Sequence, residues 1–218
     1  MSEQNKKTLR VYDRLAQKYM DNTTIHDSMN PAKAKKKQAK LESFLLDSFG
    51  KMLRNGKILE IGSGDGVNAS FLEKAGFDIV ASDIAEAFLD SCRRRGLTTI
   101  KLDAIEDELP DGLSGVLAWR TFVHFTKADL EKTLQKIHSA LVPSGVFVFN
   151  VFNQKDSGIN EQWKDFPDEY EMGEERYFAY YTEEYINDLL ERIGFKIDRF
   201  FKQGGKTGKK WLCYVVKK

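Results

Sequence analysis

The residues best able to do chemistry begin with one short run, Glu60-Ile61-Gly62-Ser63-Gly64-Asp65-Gly66. Glycines at this spacing let the backbone turn tightly and approach a ligand closely. A helix behind such a turn aims its free amides and positive dipole end at that ligand. Asp83 and Asp103 are further acids, each expected where a strand ends. A carboxylate in the place of Asp83 suits the two hydroxyls of a ribose. Asp103 is placed to accept a hydrogen bond from an adenine amino group, and Glu60 could face a cationic amino group. Trp119-Arg120 and His124 follow a fourth strand. His124 has a usable pKa range and lies on the same rim, so it is the candidate general base; the alternative is a loop histidine that shapes the wall. His26, expected in a polar linker, and His138, beside an apolar stripe, have weaker claims. No spacing of His, Cys and acids reads as a metal site.

Strands and helices must hold these residues, and the pattern from Lys57 onward supplies them. Strands are expected over residues 57–61, 77–82, 98–102, 115–119 and 146–149, with helices through Glu73, over 85–95, and after Thr126. Thr126 with Asp129 three residues on reads as a capping box, and Leu130, Leu134, Ile137 and Leu141 form the stripe behind it. Val146-Phe147-Val148-Phe149 is apolar throughout, as befits a central strand buried on both faces. Such alternation is the signature of an open α/β sheet, whose ligands bind beyond the carboxyl ends of the strands.

Flanking segments complete the picture. Asn30 and Pro31 open a helix that Gly50 closes, with Leu41, Phe44, Leu45 and Phe49 on its apolar stripe. Its other face carries Lys33, Lys35, Lys36, Lys37 and Lys40, read as a solvated face rather than a nucleic-acid contact. Residues 153–175 are polar and acidic yet keep Trp163, Phe166 and Tyr170, and are read as an ordered lid. A strand over 176–181, a helix between Thr182 and Gly194 and a closing hairpin follow. The hairpin tip Gly204-Gly205-Lys206-Thr207-Gly208 is a plain turn, because no helix follows as a phosphate loop requires.

The chain has 218 residues, ample for one domain with its own core. Its 34 Lys+Arg against 33 Asp+Glu argue against a protein built to coat nucleic acid or an anionic membrane. Two cysteines, Cys92 and Cys213, exclude a disulfide scaffold and fit a reducing compartment. No apolar run approaches the ~18 residues of a membrane span, and the first residues lack a signal peptide's apolar stretch. A cytoplasmic protein is expected.

The run from Glu60 to Gly66, with Asp83 and Asp103-Ala104, resembles the class I S-adenosylmethionine-dependent methyltransferases. Their first motif is an apolar strand, an acid, one residue, then Gly-x-Gly-x-Gly. The resemblance reaches from Lys57 to the C-terminus, and Tyr12-Asp13-Arg14-Leu15-Ala16-Gln17-Lys18-Tyr19 is similar to the helical cap of the small-molecule enzymes. It implies an α/β, Rossmann-like, seven-stranded and mostly parallel sheet flanked by helices, with an N-terminal helical cap and an antiparallel last strand. One domain, 1–218, would divide into a cap (1–50), a cofactor-binding core (51–152), a lid-like insertion (153–175) and a strand-helix-hairpin end (176–218).

The resemblance further implies the cofactor, S-adenosylmethionine, with S-adenosylhomocysteine as product. Glu60 and Tyr19 would lie at its methionine end, and Gly62, Ser63, Gly64 and Gly66 would wrap it. Asp83 would hold the ribose, Asp103 the adenine, Ile84 and Ala104 would flank the adenine, and Arg120 would lie near the methionine carboxylate. Methyl transfer from a sulfonium is an in-line displacement in which alignment supplies much of the catalysis. Arg120-Thr121-Phe122-Val123 is not the motif of DNA-amino methylation, and neither cysteine follows a proline as in cytosine enzymes. A small-molecule acceptor is therefore expected, gripped by the Tyr12 to Tyr19 cap, the Trp163/Phe166/Tyr170 lid and the rim around Phe122 and Phe125. The alternatives are an RNA-modifying enzyme using the lysine face, or a non-catalytic cofactor-binding protein. A nicotinamide-dependent oxidoreductase would need Gly-x-Gly-x-x-Gly, and Gly66 falls one residue early for it.

Overall fold

A central strand, β1 (Lys57–Ile61), is buried at every position after its first. It lies parallel between β2 (Asp78–Asp83) and β4 (Leu113–Ala118). The computed structural model describes residues 1–29, 31–50, 56–165, 173–204 and 210–218, with side chains omitted for 22–29 and 156. β3 (Thr99–Lys101) flanks β2, and β5 (Leu141–Asn153) flanks β4, both in parallel. β9 (Trp211–Lys217) runs antiparallel to β5 and is itself paired with β8 (Lys196–Gln203). These seven strands form the mostly parallel sheet with a reversed last strand that the resemblance implied, and two further strands beyond β5 bring the sheet to nine among the described residues.

Helices cover both faces because each presents one apolar stripe. Leu45 and Phe49 of α2 (Pro31–Phe49), Ala69 and Leu72 of α3 (Val67–Lys74) and Cys92 of α4 (Glu86–Arg94) share one cluster with Ile58 and Val148. On the other face, Leu130, Leu134 and Ile137 of α5 (Lys127–Ala140) and Ile186, Leu189 and Leu190 of α7 (Glu183–Ile193) pack on Phe147, Phe149 and Tyr214. Thr126 and Thr182 cap α5 and α7, accepting from the Asp129 and Tyr185 amides. Both caps were legible in the sequence.

Three regions differ from expectation. The linker anticipated around His26 is helical, since α1 runs unbroken from Glu3 to Met29. Leu141 opens β5 instead of closing α5; Pro143 keeps Val142, the residue before it, out of the helical region, so the helix has no turn to continue into. The segment read as a lid becomes a short helix, α6 (Gln154–Ser157), and a hairpin of β6 (Glu161–Asp165) with β7 (Glu175–Tyr181). β7 joins β5 in parallel through Phe152 opposite Tyr180 and Asn153 opposite Tyr181. The β4 pairing has by then ended, at Ala118 opposite Phe149, so the hairpin rises past the carboxyl rim. Asn30, Phe166, Tyr170 and most of the glycine-rich tip lie outside the described residues. No helix among the described residues is long and apolar enough to cross a membrane.

Candidate cofactor and acceptor site

The turn after β1 is built around left-handed backbone that only glycine adopts without cost. Gly62 has φ 68° and Gly66 has φ 81°. A Cβ on Gly62 would stand 2.6 Å from the Thr121 side chain, and one on Gly66 2.8 Å from Cys92 Sγ. Thr121 holds its place by donating to the Ile61 carbonyl at 2.9 Å. The Asp83 carboxylate clamps the turn from β2. Its Oδ2 accepts from the Gly64 amide and its Oδ1 from the Ala85 amide, each at 3.0 Å. Burial pushes the Asp83 pKa up, against those amides. Asp103 Oδ1 accepts from the Ile105 and Glu106 amides at 2.9 and 3.2 Å. Burial raises its pKa too, with Asp107 adding to the effect.

Glu60 sits differently from the other predicted acids. It is 2% exposed and borders the turn from beneath, outside the residues that line the cavity. Its Oε1 accepts from Asn68 Nδ2 at 3.2 Å, at the start of α3. Its Oε2 is buried with no hydrogen-bond partner among the described residues. Burial lifts its pKa to about 8, with nearby Asp65 adding to the rise. Glu60 is thus tied through Asn68 to the start of α3.

The other predicted cofactor residues share one space. A cavity of about 1000 Å³ is lined by Tyr19, Gly62, Ser63, Gly64, Asp83, Ile84, Asp103, Ala104 and Arg120. Gly66 lies behind it, at the head of α3. Arg120 has φ 64°, a left-handed geometry costing a non-glycine residue about 1 kcal/mol or more. Its amide donates to Asn150 Oδ1 at 2.7 Å, and its guanidinium lies 5.7 Å from the Trp211 ring centroid. Asn150 is buried within β5, where a side-chain acceptor is otherwise out of place. Thus the main chain at Arg120 is bent by a specific bond.

At the rim of the cavity, α1 packs on the segment after Asp83, where Tyr12 and Tyr19 both lie near Phe88. Thr8 Oγ1 accepts from the Tyr177 amide at 2.9 Å, docking α1 on β7. His124 closes a 3₁₀ turn over Phe122–His124 and also lines the cavity. Its Nδ1 is 2.7 Å from the Tyr177 carbonyl, which can only accept, so Nδ1 carries the proton. Its Nε2 is then an acceptor, 3.0 Å from the Tyr12 hydroxyl. Arg176 Nη1 donates to that same hydroxyl at 2.7 Å. Burial drives the His124 pKa down to about 4, and the Arg176 charge opposes protonation further. Burial lifts the Tyr12 phenol to about 12. At neutral pH the histidine is an uncharged imidazole whose open nitrogen is already engaged.

Residues 34–199 match the profile of a family described as a methyltransferase domain. The chain belongs to that family. The methyltransferase is 29% identical over 153 residues to a glycine/sarcosine N-methyltransferase of Halorhodospira halochloris, across 65% of this chain and 55% of that protein. It thus spans about half the length of that curated relative. A Clostridium acetobutylicum S-adenosylmethionine-dependent methyltransferase superposes with a TM-score of 0.70 at 15% identity, over 91% of this chain and 98% of that one. A 1,6-didemethyltoxoflavin-N1-methyltransferase of Burkholderia thailandensis, solved with its substrate and S-adenosylhomocysteine, gives 0.63 at 18%, over 94% and 88%. These two likenesses concern the fold, which is that of the class I S-adenosylmethionine-dependent methyltransferases.

S-adenosylmethionine is the cofactor that the resemblance of the sequence implies for this cavity. The glycine cradle, closed to any added Cβ at Gly62, and the carboxylates at the ends of β2 and β3 form a donor and acceptor set that fits it. Sequence reasoning did not find Arg176, Thr121, Asn68 or Asn150. Arg176 left a faint signal, a buried charge opening the aromatic strand Tyr177-Phe178-Ala179-Tyr180-Tyr181. Trp163, expected in the acceptor wall, stands on β6 outside the cavity lining, beneath the Lys7 ammonium and beside Tyr177.

Proposed function

We propose that the chain transfers the methyl group of S-adenosylmethionine to a small-molecule acceptor held between α1 and the rim after β4. The observation that carries this reading is the shared cavity. Its volume, about 1000 Å³, lies at the upper end of ligand sites and leaves room for an acceptor beside the cofactor. Gly62, Gly64, Asp83 and Asp103 line it together with Tyr12, Tyr19 and His124. When bound, the cofactor supplies an activated methyl group on a sulfonium. Asp83 would hold the ribose, Asp103 the adenine, and Arg120 the methionine carboxylate. Glu60 and Gly66 would set the turn's shape, while Ser63, Ile84 and Ala104 complete the wall. Alignment does most of the remaining work. The curated relative's name supports an amine acceptor.

An RNA acceptor is the second reading, because Lys33, Lys35, Lys36, Lys37 and Lys40 of α2 line the mouth of the same cavity. RNA affinity falling steeply with salt would favour it. The deciding experiment is thermal unfolding with S-adenosylmethionine, S-adenosylhomocysteine or NAD added separately. At a hundred times its dissociation constant a ligand stabilises by about 2.7 kcal/mol, which for this size raises the midpoint by roughly 5–10 °C. Shifts with both sulfur nucleosides and none with NAD are expected. A shift with NAD alone sinks the proposal, and cofactor binding without transfer to any acceptor favours a non-catalytic binding protein.

A further inference from the structure

The hydrogen bonds around Tyr12 have a fixed direction, and that direction selects an acceptor. Tyr177 contributes a carbonyl, so His124 Nδ1 donates to it at 2.7 Å. His124 Nε2 can then only accept, so the Tyr12 hydrogen points at it across 3.0 Å. Arg176 Nη1 donates to the Tyr12 oxygen at 2.7 Å, and its guanidinium lies over the Tyr12 and Phe178 rings at 5.5 and 5.1 Å. With its hydrogen committed to His124, the phenol oxygen can only accept from a ligand. Tyr12 lines the same cavity as Gly62 and Gly64.

We infer that the Tyr12 oxygen is the group that meets the methyl acceptor, and that it selects a neutral nucleophile with a hydrogen to donate, an amine N–H or a hydroxyl O–H. Such a bond turns the lone pair of the nucleophile away from Tyr12 and into the cavity that Gly62 and Gly64 also line. Carboxylates, thioethers and tertiary amines offer the oxygen nothing. The Arg176 cation disfavours an acceptor that arrives as an ammonium. His124 acts through Tyr12, as a positioning residue that fixes the phenol hydrogen. It removes no proton from the acceptor itself. This inference deepens the methyltransferase reading and rests on it.

The test uses the full chain loaded with S-adenosylhomocysteine and two matched probe pairs, phenol with anisole and aniline with N,N-dimethylaniline. Each pair differs by replacing the donated hydrogen with methyl. Calorimetry should give a donor-to-isostere affinity ratio that falls 3- to 10-fold in Tyr12→Phe, the worth of one hydrogen bond. In His124→Phe the phenol hydrogen is released into the cavity, and the ratio should swing toward the methylated probes. A ratio unchanged in both variants overturns the inference, as does failure of the loaded wild type to bind either donor. Nitrogen-15 spectra of the wild type add a readout that needs no variant: His124 must be the Nδ1–H tautomer at neutral pH, and an Nε2–H tautomer overturns the inference. Absence of S-adenosylhomocysteine binding would instead sink the methyltransferase reading, so the two failures are distinguishable.

Discussion

The two walls of the cavity are made by opposite means. The cofactor wall is backbone: amides of Gly64 and Ala85 meet Asp83, and those of Ile105 and Glu106 meet Asp103, all within a few dozen residues. The second wall is side chain, joining Tyr12 to His124 and Arg176 across most of the chain. Their buried titratable groups also behave oppositely. Glu60, under the cofactor wall, holds its proton more tightly than a free glutamate, while His124, in the other, resists taking one. A wall of amides asks for small residues at fixed spacing. A wall of side chains asks only that distant parts of the fold arrive together.

The contrast can be broken most forcefully at Gly62. Gly62→Ala puts a Cβ 2.6 Å from Thr121 in left-handed backbone. S-adenosylhomocysteine affinity should drop more than ~100-fold, counting strain and clash together. A near-normal titration curve would mean that the cradle is far more pliable than its geometry. Next come the two proton-linked stabilities. Glu60 has a folded value of about 8 against an ordinary 4.5, so its contribution is present below the lower value and lost as pH rises to the upper. His124 has a folded value of about 4 against 6.5, so its contribution is present above 6.5 and lost as pH falls toward 4. Urea titrations from pH 4 to 8.5 should show Glu60→Gln flattening the alkaline limb and His124→Phe the acid limb, each by an amount on the order of a few kcal/mol. Swapped or absent effects would erase the difference between the walls.

Asp83→Ala tests a smaller quantity, two amide bonds and a ligand contact. Cofactor affinity should weaken about 10- to 100-fold with the fold retained, as expected for hydrogen bonds to a charged group. Full affinity in a folded Asp83→Ala protein would remove its assigned role. Thr126→Ala should have the least effect, since Thr126 belongs to neither wall. Losing the cap bonds to Asp129 costs about 1 kcal/mol, or roughly 2–4 °C, with ligand affinity unchanged. A change in affinity there would show that α5 reports to the site.

The same contrast explains what the sequence could say. Residues 60–66, Asp83 and Asp103 announce themselves because turns, strand ends and helix starts are local, and the chain writes local structure in adjacent letters. The Thr126 and Thr182 caps were legible for the same reason. Arg176 was not, because nothing near it in sequence reveals that Tyr12 waits 164 positions away. The β6–β7 hairpin was also missed: Glu161 to Asp165 is mostly exposed and carries no alternating pattern, so its pairing depends on the aromatic strand beside it. Tyr12 and His124 were each named, in separate roles. Their bond, which fixes the proton on each, depends on the fold alone.

The joint between β7 and β5 is shallow. Among the described residues, the strand that carries Arg176 and Tyr177 pairs with the main sheet only where Phe152 and Asn153 meet Tyr180 and Tyr181. Replacing or reshaping it need not disturb the strand order that carries the glycine turn. The hairpin and the glycine turn thus hang on separate joints of one sheet, much as a blade and a handle meet at a single rivet.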